Sequence, residues 1–261
     1  MNLINVLCIG DVIGTVGMKY LHRHLPALKR LKRIDAVIVN GENSADTNGI
    51  TPDSANYLLN CGVDLITTGN HSFQRKESYP IYENDNMPVI RPANYPDKAP
   101  GVGSKVIDIG RARIRVINMM GTVEMTPVLD CPFVSSDALL EQYDEKIVIM
   151  DLHAEATAEK RALACYLDGR ISAVFGTHTH VQTADEQILP GGTGFITDAG
   201  MTGPVNSVIG VDIEAAIEKM KTKMPVRLNY ADGRCMLNAV LFVIDEKSGK
   251  TAAVERINIS N

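Results

Sequence analysis

No apolar run in this 261-residue chain approaches the length needed to cross a bilayer, and no two of its five cysteines stand in C-x-x-C spacing. The first absence excludes a membrane-spanning helix and the second a zinc ribbon. Cys8, Cys61, Cys131, Cys165 and Cys235 are odd in number and scattered, which also excludes a disulfide framework. Positive charge is not in excess either. With a formal net charge of −5 the chain is not expected to bind nucleic acid stably, because affinity for polyanions comes mainly from phosphate neutralisation. The richest basic cluster, Lys29-Arg30-Leu31-Lys32-Arg33, reads as the end of a helix, where cations are favoured, and not as an RNA-binding patch. There is no internal repeat and no linker, so residues 1–261 read as a single domain. The segment Met1–Leu7 lacks a basic n-region and its apolar run breaks at Gly10-Asp11. It reads as a first strand, not a signal peptide, and a cytoplasmic, reducing location is the expectation.

What is present is a 45% hydrophobic chain with alternating strand and helix signals. Residues 4–9 form a strand. A helix follows over about 16–32, with Leu21, Leu25 and Leu28 on one face and a kink or break expected at Pro26. A second strand covers 35–39, a helix opens at Thr51-Pro52-Asp53, and a third strand covers 64–67. Continuous apolar strands separated by helices imply a parallel sheet covered on both faces. Pro88, Pro92, Pro96 and Pro100 mark an irregular stretch, and runs at 105–109 and 112–118 around Gly110-Arg111 read as a hairpin-like insertion. Alternation returns with strands at 146–150 and 172–175 around a helix near 156–167. A helix near 213–220 and strands near 235–244 and 251–257 end the chain. Cys8 and Cys61 sit in apolar company and read as core residues.

Several apolar runs end in polar residues able to bind metal. Near the start stands Gly10-Asp11, then Asn40-Gly41-Glu42-Asn43, Gly69-Asn70-His71, Asp151-Leu152-His153 and Gly176-Thr177-His178-Thr179-His180. A strand ending in such a side chain aims it into the crevice at the sheet's carboxyl edge. Five such endings supply enough oxygen and nitrogen for two divalent ions, an arrangement suited to phosphoester hydrolysis. Each segment also has a plainer reading. Asp11 alone fits a turn former, and the glycines at 10, 14 and 17 do not have dinucleotide-binding spacing. Glu42 and Asn43 fit a solvated loop. Asn70 offers a carbonyl to a hard metal, and His71 is either a proton donor to a leaving group or a turn histidine. His153, His178 and His180 form the strongest cluster, for which ligation is the better reading. His22 and His24 read as surface residues of the basic helix. Asp151, Glu155, Asp185 and Asp198 are candidates to orient imidazoles, with no individual assignment.

Together with Arg91-Pro92-Ala93-Asn94-Tyr95-Pro96, the run from Asp151 to Thr157 and the run from Thr197 to Gly203, these segments resemble the YmdB-like metallophosphoesterases. Those are relatives of the calcineurin-like phosphoesterases, and the resemblance runs in order across nearly the whole chain. It implies an α/β fold, a four-layer sandwich of two mixed β-sheets flanked by helices. It also implies a two-metal site, with iron first and manganese or zinc as alternatives. The implied activity is a phosphodiesterase acting on cyclic nucleotides, 2′,3′-cyclic and also 3′,5′-cyclic, by metal-activated hydroxide. By position, Asp11, Glu42, Asn43 and His180 surround one metal. Glu42 bridges to a second held by Asn70, His153 and His178, and His71 is the general acid. Thr179 and the loop after Gly191 are expected to contact substrate. Ile13 stands where the wider superfamily often has a ligand histidine, and Asn43 compensates. Two further departures are Ser72-Phe73-Gln74 in place of a Thr-Trp-Asp-like run, and Thr122 where relatives often carry arginine. The partner expected is a small phosphodiester, with no membrane contact; self-association into a homo-oligomer is left open. Two rival readings are a phosphomonoesterase and a metal-stabilised regulatory or scaffold protein with residual catalysis, which the Thr122 position favours.

Overall fold

The computed structural model describes residues 2–260. The chain opens with β1 (Leu3–Val12), α1 (Gly14–Lys32), β2 (Ala36–Asn40), α2 (Pro52–Asn60) and β3 (Leu65–Thr67). A short helix α3 (Tyr79–Glu83) leads to the antiparallel pair β4 (Ser104–Asp108) and β5 (Arg113–Met120). Then come α4 (Pro132–Leu140), β6 (Ile147–His153), α5 (Thr157–Tyr166), β7 (Ala173–Thr177), β8 (Gln187–Ile188), β9 (Gly194–Ile196) and β10 (Met201–Pro204). The final elements are α6 (Ile213–Thr222), β11 (Cys235–Asp245) and β12 (Thr251–Ser260).

The strands form two six-stranded mixed sheets, ordered β12-β11-β10-β1-β2-β3 and β4-β5-β6-β7-β9-β8. β1 runs parallel to β2 and β10, and β2 to β3. In the second sheet β5, β6, β7 and β9 are parallel. The period-two alternation of strand side chains explains why these strands read as unbroken apolar runs. Ile4, Val6 and Cys8 of β1 face a core shared with Ile114, Val116, Ile149 and Phe175 of the other sheet. Leu7 and Ile9 face the opposite way, onto Leu21, Leu25 and Leu28 of α1. In β6, Ile147 and Ile149 enter the shared core, while Val148, Met150 and Leu152 pack against Leu163 and Ala164 of α5. The result is the expected four-layer α/β sandwich.

Local signals hold at some helix ends. Thr51 caps α2 through a reciprocal bond pair with Ser54, and Pro52 occupies the first turn, where its missing N–H costs nothing. The basic cluster does close α1. Two expectations are corrected. Pro26 does not break α1, which continues to Lys32 because Leu21, Leu25 and Leu28 on either side of it are buried and anchor the helix to the first sheet. The 104–120 hairpin is not an insertion. Its second strand is the parallel neighbour of β6, so it forms one side of the second sheet. Cys8 and Cys61 are buried, and His22 is exposed as expected. His24 is half-buried and stacks on Tyr20 at 4.3 Å between ring centroids. Among the described residues no helix is long and apolar enough to cross a membrane.

Candidate metal centre

The parallel strands of both sheets present their carboxyl ends to one crevice. β1 delivers Asp11, the turn after β2 delivers Glu42 and Asn43, and the turn after β3 delivers Asn70 and His71. From the facing sheet, β6 ends at His153 and β7 runs into His178 and His180. Close backbone approach makes this possible. A Cβ on Gly10 would lie 1.9 Å from the Gly200 carbonyl oxygen, which accepts the Asp11 N–H at 3.0 Å. Glycine is the residue that lets β1 pass there.

The side chains meet. Glu42 Oε1 lies 3.2 Å from His153 Nε2 and 3.3 Å from His71 Nδ1, and its Oε2 accepts the His71 backbone N–H at 2.9 Å. His153 Nε2 also lies 2.8 Å from Asn70 Oδ1 and 3.1 Å from His178 Nδ1. On the other side His180 Nε2 stands 3.5 Å from Asp11 Oδ1, while Asp11 Oδ2 accepts the His178 N–H at 3.0 Å. Asn43 sits between the two halves. Its Nδ2 is 3.4 Å from both Asp11 Oδ1 and Glu42 Oε1 and 3.3 Å from His180 Nε2, and its Oδ1 faces His71 Nδ1 at 2.9 Å. For Asn43 to ligate, its carboxamide has to turn over so that oxygen faces Asp11 and His180. All eight residues expected at the site are therefore together, and donor atoms of Glu42, His153 and His178 lie within 4.8 Å of one another.

The electrostatics suit cation binding. Burial works against a charge on Glu42, but His153 and then His71 hold its carboxyl well below the usual range. Burial also opposes ionisation of Asp11, and His180 outweighs it and lowers the pKa. His178 is pushed down to about 4 by burial and then by His153, which favours the neutral ring that a metal ligand requires. His180 goes the other way. Burial alone would lower it, yet Asp11 and the Ile209 carbonyl raise it to about 9. No Lys or Arg pairs with Asp11 or Glu42 among the described residues; only imidazoles do. Two carboxylates, two carboxamides and three imidazoles form a mixed hard and borderline donor set that fits iron, manganese or zinc.

Several residues orient these donors. His153 Nδ1 bonds Thr177 Oγ1 at 2.9 Å, and Thr177 donates to Asp151 Oδ1 at 2.6 Å. Thr67 Oγ1 donates to the other oxygen of Asp151, which also accepts from Asn40 Nδ2 at 3.1 Å. Burial pushes Asp151 up to about 6, against the effect of His153 and both threonines. Glu155 lies 3.2 Å from His178 Nε2. Asp185 instead holds Thr183 and Thr197 and touches no imidazole. Asn40, Thr67 and Thr177 carry no sequence mark of a supporting role, although each closes a strand whose next residues lead into the site. Nothing local marks Tyr230, whose hydroxyl donates to Asn43 Oδ1 at 3.4 Å from 187 positions away.

Other expectations fare differently. The hydroxyl of Thr179 is engaged by Asp198 at 2.8 Å. The loop after Gly191 is not at the crevice. Gly191 N–H donates to Asp168 and Gly192 packs beside Lys250, because the loop precedes the parallel strand β9 and so lies at the amino edge of the sheet. Phe73 replaces the anticipated tryptophan in an aromatic cluster, 5.0 Å from the Tyr82 ring and 5.2 Å from that of Tyr95. Thr122 is tied through N–H and hydroxyl to Glu159.

Known proteins share this arrangement of the chain. The 2′,3′-cyclic-nucleotide 2′-phosphodiesterase of Bacillus subtilis is 42% identical over 98% of this chain and 97% of its own length. The crystal structure of a phosphatase from Mycoplasma pneumoniae superposes with a TM-score of 0.94 at 34% identity, covering 100% of this chain and 94% of that one. The calcineurin-like phosphoesterase YfkN of Bacillus subtilis has the same fold at 12% identity, with a TM-score of 0.64 over 99% of this chain and 90% of that one. Residues 7–257 match the family described as YmdB-like protein, and the chain belongs to that family.

Proposed function

We propose that the chain is a metal-dependent phosphodiesterase that hydrolyses 2′,3′-cyclic nucleotides, with 3′,5′-cyclic nucleotides as further substrates. The observation that supports it most is the convergence of seven donor side chains from both sheets on one crevice, with His71 beside them. The core shared by the two sheets supports a single domain as the working unit.

In this reading Asp11, Glu42, Asn43 and His180 would hold one ion, and Asn70, His153 and His178, together with Glu42, would hold a second. When bound, the ions supply Lewis acidity, activating water and offsetting charge on the phosphoryl oxygens. The protein does the rest. Glu42 stays anionic between its imidazole partners and offsets the repulsion of two cations. His153 cannot swing, because it is fully buried and both its ring nitrogens are engaged. Glu155 orients His178 from the solvent side. His71 keeps Nδ1 on Glu42, which leaves Nε2 to deliver a proton to the departing ribose oxygen as water adds to phosphorus and the P–O bond breaks.

The Mycoplasma relative is called a phosphatase, which makes monoester hydrolysis the second reading. Chelated protein, reloaded with Fe2+ or Mn2+, should be given 2′,3′-cyclic AMP, 3′,5′-cyclic AMP and 3′-AMP, with metal content measured on the same sample. Metal-dependent turnover of 2′,3′-cyclic AMP ahead of 3′-AMP is expected. Preference for the monoester would favour the second reading, and a metal-loaded protein inert to all of them would overturn both.

A further inference from the structure

Lys160 is fully buried, and nothing in the chemistry above uses it. It projects from the first turns of α5, and its Nζ donates to Asp198 Oδ2 at 2.8 Å and to the Thr177 carbonyl at 2.9 Å. Asp198 is itself a hub. Its Oδ2 also accepts the Thr179 N–H at 3.2 Å and the Thr179 hydroxyl at 2.8 Å, and its Oδ1 accepts the Gly200 N–H at 2.8 Å. The residues on either side of Thr179 have positive φ, 102° at His178 and 64° at His180. Residues other than glycine occupy such conformations only where the surroundings over-determine them.

We propose that the buried Lys160–Asp198 ion pair is the positioning device of the metal centre: it clamps the turn from Thr177 to His180 so that two imidazoles on one short loop point at two different metal positions. Lys160 fixes the carbonyl just before His178, and Asp198 fixes the peptide N–H and hydroxyl of the residue between the histidines. The same carboxylate holds Gly200, whose carbonyl accepts the Asp11 N–H, so a third donor is tied to the clamp. A buried ion pair is weak evidence for stability, and well-packed apolar replacements are often neutral. Replacing Lys160 alone loses its bond to the Thr177 carbonyl and leaves Asp198 buried without its cation, so stability falls as well, and the clamp is read from a loss of metal affinity beyond that of an equally destabilising core truncation.

The inference rests on the ligand assignment proposed above. The test titrates Mn2+ into the chelated full-length chain by calorimetry and compares Lys160→Met with Leu163→Ala. Leu163 lies on the same helix, is fully buried and is not part of the clamp. Lys160→Met should weaken Mn2+ binding by about 10–100-fold, as loss of a supporting partner does, while Leu163→Ala lowers Tm at least as much and keeps wild-type affinity. If Lys160→Met does not fold, Thr179→Val takes its place, since it cuts the hydroxyl bond to Asp198 and the longer one from the Val181 N–H at 3.4 Å and should weaken binding severalfold. Wild-type affinity in the clamp variant, or an equal loss in Leu163→Ala, would overturn the inference. Absence of Mn2+ binding by the wild type would overturn the ligand assignment and this inference with it.

Discussion

Adding one methyl group to Gly69 should disable the site without removing any of its functional groups. A Cβ on Gly69 would fall 2.2 Å from Cδ2, 2.4 Å from Cγ and 2.4 Å from Nε2 of His153. Reaching even a tight contact of 3.4 Å needs a displacement of about 1.2 Å at the nearest atom. The imidazole cannot supply it locally, because Nδ1 is held by Thr177 and Nε2 faces Asn70, Glu42 and His178. Gly69 does not have a positive φ, so alanine meets no backbone penalty there and the clash acts alone. A misplacement of about 1 Å at a reacting centre costs on the order of 10²-fold in rate, and overpacking of this kind costs about 1–3 kcal/mol of stability. Gly69→Ala should therefore remain folded, with Tm lower by up to about 10 °C. It should lose about half its metal and turn over 2′,3′-cyclic AMP about 10²-fold more slowly. Gly110→Ala is the control: nothing lies within 4 Å of its added Cβ, and its φ of +80° brings strain without contact with the site. Wild-type metal content and rate in Gly69→Ala would refute the placement of His153 and, with it, the geometry of the centre.

His71→Ala should keep both metals yet slow hydrolysis of a cyclic nucleotide by about 10²–10⁴, the usual share of general acid catalysis, and slow bis-p-nitrophenyl phosphate much less because p-nitrophenolate needs little protonation. Equal losses on both substrates, or loss of a metal, would make His71 a ligand or a positioning group instead. The pH response of the metal-free protein follows from His180, whose folded pKa of about 9 is above its ordinary value of 6.5. The protonated His180–Asp11 pair contributes stability that is complete below about pH 6.5 and is lost as pH rises through about 9. Thermal melts of chelated protein should fall across that window, and Mn2+ affinity should rise across it because ligation displaces the same proton. A flat melting curve together with a flat affinity would exclude His180 as the proton competing with metal.

The donors and the framework were legible in the chain for one reason, and the supports were hidden for the complementary one. A parallel strand buried on both faces announces itself as an apolar run, and its carboxyl end shows as the short polar segment that closes that run. Asp11, His153 and His178 all stand at such ends, so sequence order alone points to them. Helices read well where a cap or an apolar stripe marks them, as at Thr51 and along Leu21, Leu25 and Leu28. α4 escaped notice because it follows the loop-like Asp130-Cys131-Pro132 and has no side-chain cap, and β8 and β9 are only 2 and 3 residues long, too short for any period to register. β1 runs on to Val12, past the break at Gly10-Asp11, because Asp11 and Val12 pair with Met201 and Thr202, a contact between segments 190 residues apart. The supports are of the same long-range kind. Asn40 reaches Asp151, Tyr230 reaches Asn43 and Lys160 reaches Asp198, and in each case the two members belong to different elements. A ligand type can be inferred from its own position in an element. The direction of its lone pair depends on a second residue, and which residue that is follows only from how the two sheets meet.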